Sequence, residues 1–128
     1  MTKSSQFFGL ALLAMVTIMP VATLAQTQGL QPLVVIRFNQ PRVYFDQQLY
    51  GAIAKALEIK PDLTLDVVSL APSVGNAETD KKWQAVAGRN TRTVIDAMKE
   101  MGVPMNRINV TGQSQPGLRY DETQVFVH

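Results

Sequence analysis

Residues 4–36 carry no charged side chain, and that stretch constrains everything after it. Lys3 gives a short positive start, Phe7 to Val21 is apolar, and Thr23-Leu24-Ala25 follows with small residues at its first and third places. This is the layout of a secretory signal peptide cut after Ala25. Pro20 ends the apolar helix and leaves an extended segment that a peptidase can read. An uncleaved anchor is the competing reading, since Phe7 to Leu24 just reaches the length of a membrane helix, although Gly9 and Pro20 weaken it. Residues 1–25 are therefore expected to be removed, with no membrane span left after cleavage. Residues 26–32 (QTQGLQP) form a short polar leader ahead of a single domain, 33–128.

What remains is roughly 100 residues, enough for one domain. Small exported domains are often stapled by disulfides, but this sequence has no cysteine, so core packing must hold it together. Twelve Lys and Arg against ten Asp and Glu leave a net charge of +2. That balance argues against a nucleic-acid binder steered by charge.

Periodicity then sets the element order. Leu33 to Phe38 is β-branched and apolar between Pro32 and Asn39-Gln40-Pro41, which predicts a buried strand. Asp46 is placed to cap a helix over 47–59, with Leu49, Ile53, Ala56 and Leu57 at helical spacing and Pro61 to stop it. Residues 63–70 (LTLDVVSL) alternate as a second strand, and 71–77 (APSVGNA) read as a turn-rich loop. Thr79 is placed to cap a second helix reaching Met101. Its apolar side holds Trp83, Val86, Ala87, Val94, Ala97 and Met98, and Gly102 and Pro104 end it. Residues 108–111 and 124–127 give two short strands joined by the polar stretch 112–122. The order β-α-β-α-β-β predicts an α/β sandwich with two helices packed on one face of a four-stranded mixed sheet. Leu33, Val35, Phe38 and Leu57 are expected in its core together with Leu49, Ile53, Leu65, Val67, Val94, Met98 and Val125.

Catalytic equipment is thin. His128 is the single histidine and the last residue, where chain ends fray. Without cysteine or an interior histidine, nucleophile–base pairs and the usual zinc sites lack their parts. The sequence points to no enzyme, no metal and no cofactor. Asn109-Val110-Thr111 matches a glycosylation sequon but falls in a predicted strand. The cluster that stands out is Arg89, Asn90 and Arg92 on the second helix. Asn90 falls on the apolar stripe, where an amide must find partners or cost about 1–3 kcal/mol. It is either a core residue bonded to neighbouring backbone or a contact to a ligand or partner. Arg92 has Asp96 one turn on, at ion-pair spacing.

Taken together, Val35-Ile36-Arg37-Phe38 followed by a helix, the 62–70 strand and the long helix ending Val94-Ile95-Asp96-Ala97-Met98-Lys99-Glu100-Met101-Gly102-Val103-Pro104 resemble a known family. So does Asn106-Arg107-Ile108-Asn109-Val110-Thr111-Gly112-Gln113-Ser114-Gln115-Pro116. The family is the OmpA-like domains, similar to the C-terminal, peptidoglycan-binding part of outer-membrane protein A, and the likeness runs from Leu33 to Val127. It implies a periplasmic domain that binds peptidoglycan or an envelope protein partner. Typical members hold the zwitterionic end of diaminopimelate with an Asp after the second strand and an Arg on the second helix. Here Asn90 occupies the Arg position, with Arg89 one place off, and the Asp position falls near Pro72 and Ser73, where no acid stands; Glu78 and Asp80 are the nearest downstream acids, and the spacing puts neither in that role. The resemblance thus implies a kept fold with a degenerate ligand site; the alternative is a divergent peptidoglycan binder using Arg89 or Arg92. Restoring the charges with Ser73→Asp and Asn90→Arg is expected to raise affinity for peptidoglycan sacculi.

Overall fold

The structure, a computed structural model, describes residues 31–128. The expected signal peptide and the leader as far as residue 30 lie outside the described residues. Among the described residues the elements are β1 (Val34–Arg37), α1 (Asp46–Ile59), β2 (Leu65–Ser73), α2 (Ala77–Glu100), β3 (Ile108–Pro116) and β4 (Glu122–Val127), with a 3-10 turn at Met105–Arg107. The strands form one sheet in the order β1-β4-β2-β3. β2 and β3 are parallel, and β4 runs antiparallel to both β1 and β2. This is the mixed four-stranded sheet expected from the β-α-β-α-β-β order.

The core lies between the two helices and one sheet face. Leu49 and Ile53 of α1 and Val94 and Met98 of α2 meet Val34, Ile36, Leu65, Val67 and Val125 in one buried cluster. Two sequence expectations fail here. In β1 the buried residues are Val34 and Ile36, while Val35 points to the other face and Leu33 and Phe38 are only partly buried. A continuous apolar run has no alternation to select a face; pairing with β4 does so, setting Val34 against Val125 and Ile36 against Thr123. Leu57 is 37% exposed. Repeated four-residue steps from Leu49 drift about 40° each around a 3.6-residue helix, so Leu57 has turned off the buried stripe, and Ala56 packs against the core instead.

The helix starts also differ from expectation. Asp46 is the first residue of α1 and not its cap; the cap position is Phe45, without a side-chain hydrogen bond. A carboxylate in the first turn still suits the positive end of the helix dipole. For α2 the cap is Asn76, whose Oδ1 accepts the Thr79 N–H at 3.0 Å. Thr79, expected as the cap, is instead the residue whose N–H donates to it. At the far end Gly102 adopts φ 96°; its N–H reaches the Lys99 carbonyl and the Val103 N–H reaches the Met98 carbonyl. Only glycine takes that left-handed geometry without strain, and the paired bonds satisfy the last carbonyls of the helix.

Three strands are longer than the sequence suggests, β4 by starting at Glu122. β2 continues through Ala71, Pro72 and Ser73, leaving only 74–76 as the connection to α2. Its pairing with β4 ends at Leu70↔Glu122, whereas pairing with β3 runs to Ser73↔Pro116. Pro72 therefore sits where the ladder has one neighbour, and its missing N–H is tolerated. β3 likewise extends through the polar residues 112–116.

Candidate functional site

Helix α2, held at both ends by these caps, determines where the singled-out residues fall. Its buried stripe is Ala87, Thr91, Val94 and Met98, which leaves Asn90 half-buried at the stripe's border and Arg89 and Arg92 exposed. Asn90 Nδ2 donates to Asp121 Oδ2 at 2.9 Å. Asp121 is only 2% exposed, and its backbone carbonyl accepts the Phe38 N–H at 3.0 Å. One turn of chain thus ties α2 to the entry of β4 and the exit of β1. Beside it the Thr91 and Thr123 hydroxyls bond at 2.8 Å. Arg37 approaches Glu122 at 3.8 Å, and Gln124 Nε2 donates to the same carboxylate at 2.7 Å. No buried side-chain N or O among the described residues lacks a partner. The polar layer is closed on itself.

The end of β2 holds an acid that the sequence reading set aside. Asp80 Oδ2 accepts the Ser73 hydroxyl at 2.8 Å, and Oδ1 accepts the Val74 N–H at 2.8 Å. These bonds hold the Asp80 carboxyl below the usual carboxylate range: the Val74 N–H lowers it most, then the Ser73 hydroxyl, with Gly75 adding least and partial desolvation opposing them. Both oxygens are engaged in closing the short connection. Because the folded-state value is depressed, this contribution is present above the ordinary carboxylate pKa of about 3.9 and is lost as pH falls through the lower folded-state value. The Val74 amide resonance is expected to titrate with a midpoint clearly below about 3.9; a midpoint at or above that value contradicts the clip.

Ser73 and Asn90 are each bonded to another residue, Ser73 to Asp80 and Asn90 to Asp121. Asp80, bonded to Ser73, and Asn90 are ten residues apart on one helix, about 15 Å along its axis. Ser73→Asp would set a second carboxylate against Asp80, and an Arg at 90 would meet Asp121 first. Arg92 does not pair with Asp96: among the described residues the ion pair between permanently charged groups is Arg37–Glu122. Arg92, Asp96 and Lys99 instead line a groove of about 560 Å³ between α2 and β3, floored by Ser69, Val110 and Gly112.

His128 is exposed, yet its backbone does not fray. Its N–H and carbonyl pair with those of Thr64 at 3.0 and 2.8 Å, and its Nδ1 lies 2.6 Å from Asp66 Oδ2. Asn109 donates to the other oxygen of Asp66 at 3.1 Å. Among the described residues, no group of three or more His, Asp or Glu is placed to hold a metal ion, and no helix is long and apolar enough to cross a membrane. Asp121 and Thr123 are the polar residues that sequence reasoning missed. The one signal pointing to Asp121 was Asn90 itself, an amide on an apolar stripe that required a partner.

No family model matches the sequence, and no curated protein matches it. Among solved structures, the chain is similar to the OmpA-like domain of FopA1 from Francisella tularensis subsp. tularensis SCHU S4. The TM-score is 0.57 at 13% sequence identity, over 73% of this chain and 70% of that one. The fold is of OmpA-like type; an identity that low speaks to fold alone.

Proposed function

We propose that this chain is a non-catalytic interaction domain of the bacterial cell envelope, exported to the periplasm, which keeps the OmpA-like fold without a working diaminopimelate site. The observation that carries the reading is the closed bond between Asn90 and Asp121. A zwitterionic ligand needs a carboxylate for its ammonium and a cation for its carboxylates. At the position where the resemblance would put the Arg, a neutral amide stands already engaged. The acid nearest the end of β2, Asp80, has both oxygens occupied by Ser73 and Val74. An ammonium entering there would lose its water without a charged partner in return. The OmpA-like fold favours a binding role over a catalytic one, and export rests on the charge-free apolar N-terminus. The partner is then an envelope protein.

One observation favours the second reading, a divergent peptidoglycan binder. The groove beside α2 offers both signs of charge, with Arg92 and Lys99 for carboxylates and Asp96 for an ammonium. Co-sedimentation with purified sacculi separates the two. The unmodified protein is expected to stay in the supernatant. Saturable pelleting that is abolished by Arg92→Ala or Arg89→Ala would establish the divergent binder instead.

A further inference from the structure

Helix α2 turns a face of one charge sign to solvent. Lys81, Lys82, Arg89 and Arg92 are all exposed, and their spacing sets them in two lines. Lys82 and Arg89 stand two turns apart and Lys81 and Arg92 three, so each pair recurs within about 20° around a 3.6-residue helix. Ala85 lies between the lines, and the four cations span about 16 Å of helix axis. No acid occurs from residue 81 to residue 95. Among the described residues none of the four cations has an ion-pair partner. Asp80, just before them, has both oxygens on Ser73 and Val74, and Asp121 is buried against Asn90. Helix stability does not account for the face. An acid at position 85 would stand one turn from both Lys81 and Arg89, where opposite charges support a helix, yet that place holds Ala85. Arg89 and Arg92 put like charges one turn apart, which disfavours a helix.

Resting on the reading of this chain as an envelope interaction domain, we infer that the face bearing Lys81, Lys82, Arg89 and Arg92 docks the partner through a short acidic segment of that protein. Four unpaired cations call for carboxylates, and an extended segment covers about 16 Å with about five residues. The face fits a protein segment better than an anionic lipid surface. Glu78 precedes the cations and Asp96 follows them, both exposed and each within about 20° of Ala85 around the helix. A flat anionic membrane would press on both acids, whereas a segment of bounded length ends between them. A helix lying in a membrane surface also buries large apolar side chains. The exposed residues from 81 to 93 are only Lys, Gln, Ala, Gly, Arg and Thr. Charge complementarity of this kind fixes register and excludes wrong partners more than it adds affinity.

Lys82 and Arg89 make the test specific, because neither lines the cavities between α2 and β3 and neither belongs to the core. Fluorescence anisotropy is measured on the protein isolated from the cells that make it. The probes are a labelled oligoglutamate peptide of about six residues, an oligolysine peptide of the same length, and phosphatidylglycerol vesicles. Saturable binding is expected for the oligoglutamate alone. Lys82→Glu with Arg89→Glu is expected to weaken it at least about tenfold, since each reversal removes an attraction and adds a repulsion. The reversal also ends the repulsion between Arg89 and Arg92, so the melting midpoint of this variant is expected to hold, which separates lost binding from lost folding. Lys55→Glu with Lys60→Glu makes the same change of net charge at exposed positions of α1 and its end, and is expected to weaken binding far less. A chain that does not bind the oligoglutamate overturns the proposal. So do equal losses from the two charge reversals, or vesicle binding that Lys82→Glu/Arg89→Glu abolishes. The underlying reading fails by a different readout, saturable pelleting with sacculi, so the two failures are distinguishable.

Discussion

Met98→Ala is expected to destabilise the domain by about 2–5 kcal/mol, the range for large-to-small changes at fully buried aliphatic sites. Met98 has no exposed surface and lies in the buried cluster that also holds Leu49 and Ile53 of α1 and Val67 of β2. Truncating it leaves a cavity inside that cluster, and the cost rises with the volume the neighbours fail to fill. For a domain of this size each kcal/mol shifts the melting midpoint by about 4–8 °C, so a drop of about 8 °C or more is expected in thermal unfolding followed by circular dichroism. Leu57→Ala serves as the contrast. That side chain is partly solvated and off the buried stripe, so its truncation is expected to cost less than about 1 kcal/mol, about 0.8 for each CH2 that was buried. Equal losses from the two variants would contradict the assignment of the α1 face.

Asn90→Leu is expected to cost about 1–3 kcal/mol, even though it adds an apolar side chain at the edge of an apolar stripe. The loss arises on the partner: Asp121 is buried and receives its side-chain hydrogen bond from Asn90. Without that donor a carboxylate stays desolvated with nothing in return. Chemical denaturation of the two single variants and the double variant Asn90→Leu/Asp121→Leu gives the coupling directly. The double variant is expected to recover part of the loss, since an apolar pair leaves no orphaned group. Strict additivity would show that Asn90 and Asp121 do not depend on each other.

These two residues also mark where sequence reading succeeds and where it stops. Met98 and Val94 were legible because helical spacing gathers apolar residues on one side, and the same reasoning found Leu49 and Ile53. β1 was legible as a strand but not as a face, because four consecutive apolar residues carry no period and β4 decides which way they point. The second half of β3 could not be read at all: Gly112 to Gln115 are polar and small, and they are extended only because β2 lies alongside. At the candidate site the sequence marked Asn90 as an anomaly but could not supply Asp121, which comes from a distant part of the chain. It set Asp80 aside because spacing gave it no role, and the fold gives it one at Ser73 and Val74. Arg92 and Asp96 stand at ion-pair spacing without pairing, since exposed pairs gain little once the entropy of two long side chains is counted.

The claim that the fold persists without its diaminopimelate site is tested most directly by titrating a diaminopimelate-containing muropeptide into isotopically labelled protein and following side-chain and backbone amide resonances. The Asn90 side-chain amide, the Val74 amide and the guanidinium resonances of Arg89 and Arg92 report on each candidate contact separately. The account predicts that none of them moves in a saturable way. Saturable shifts at Arg92 and along its groove, or at Asn90 with loss of its bond to Asp121, would contradict it.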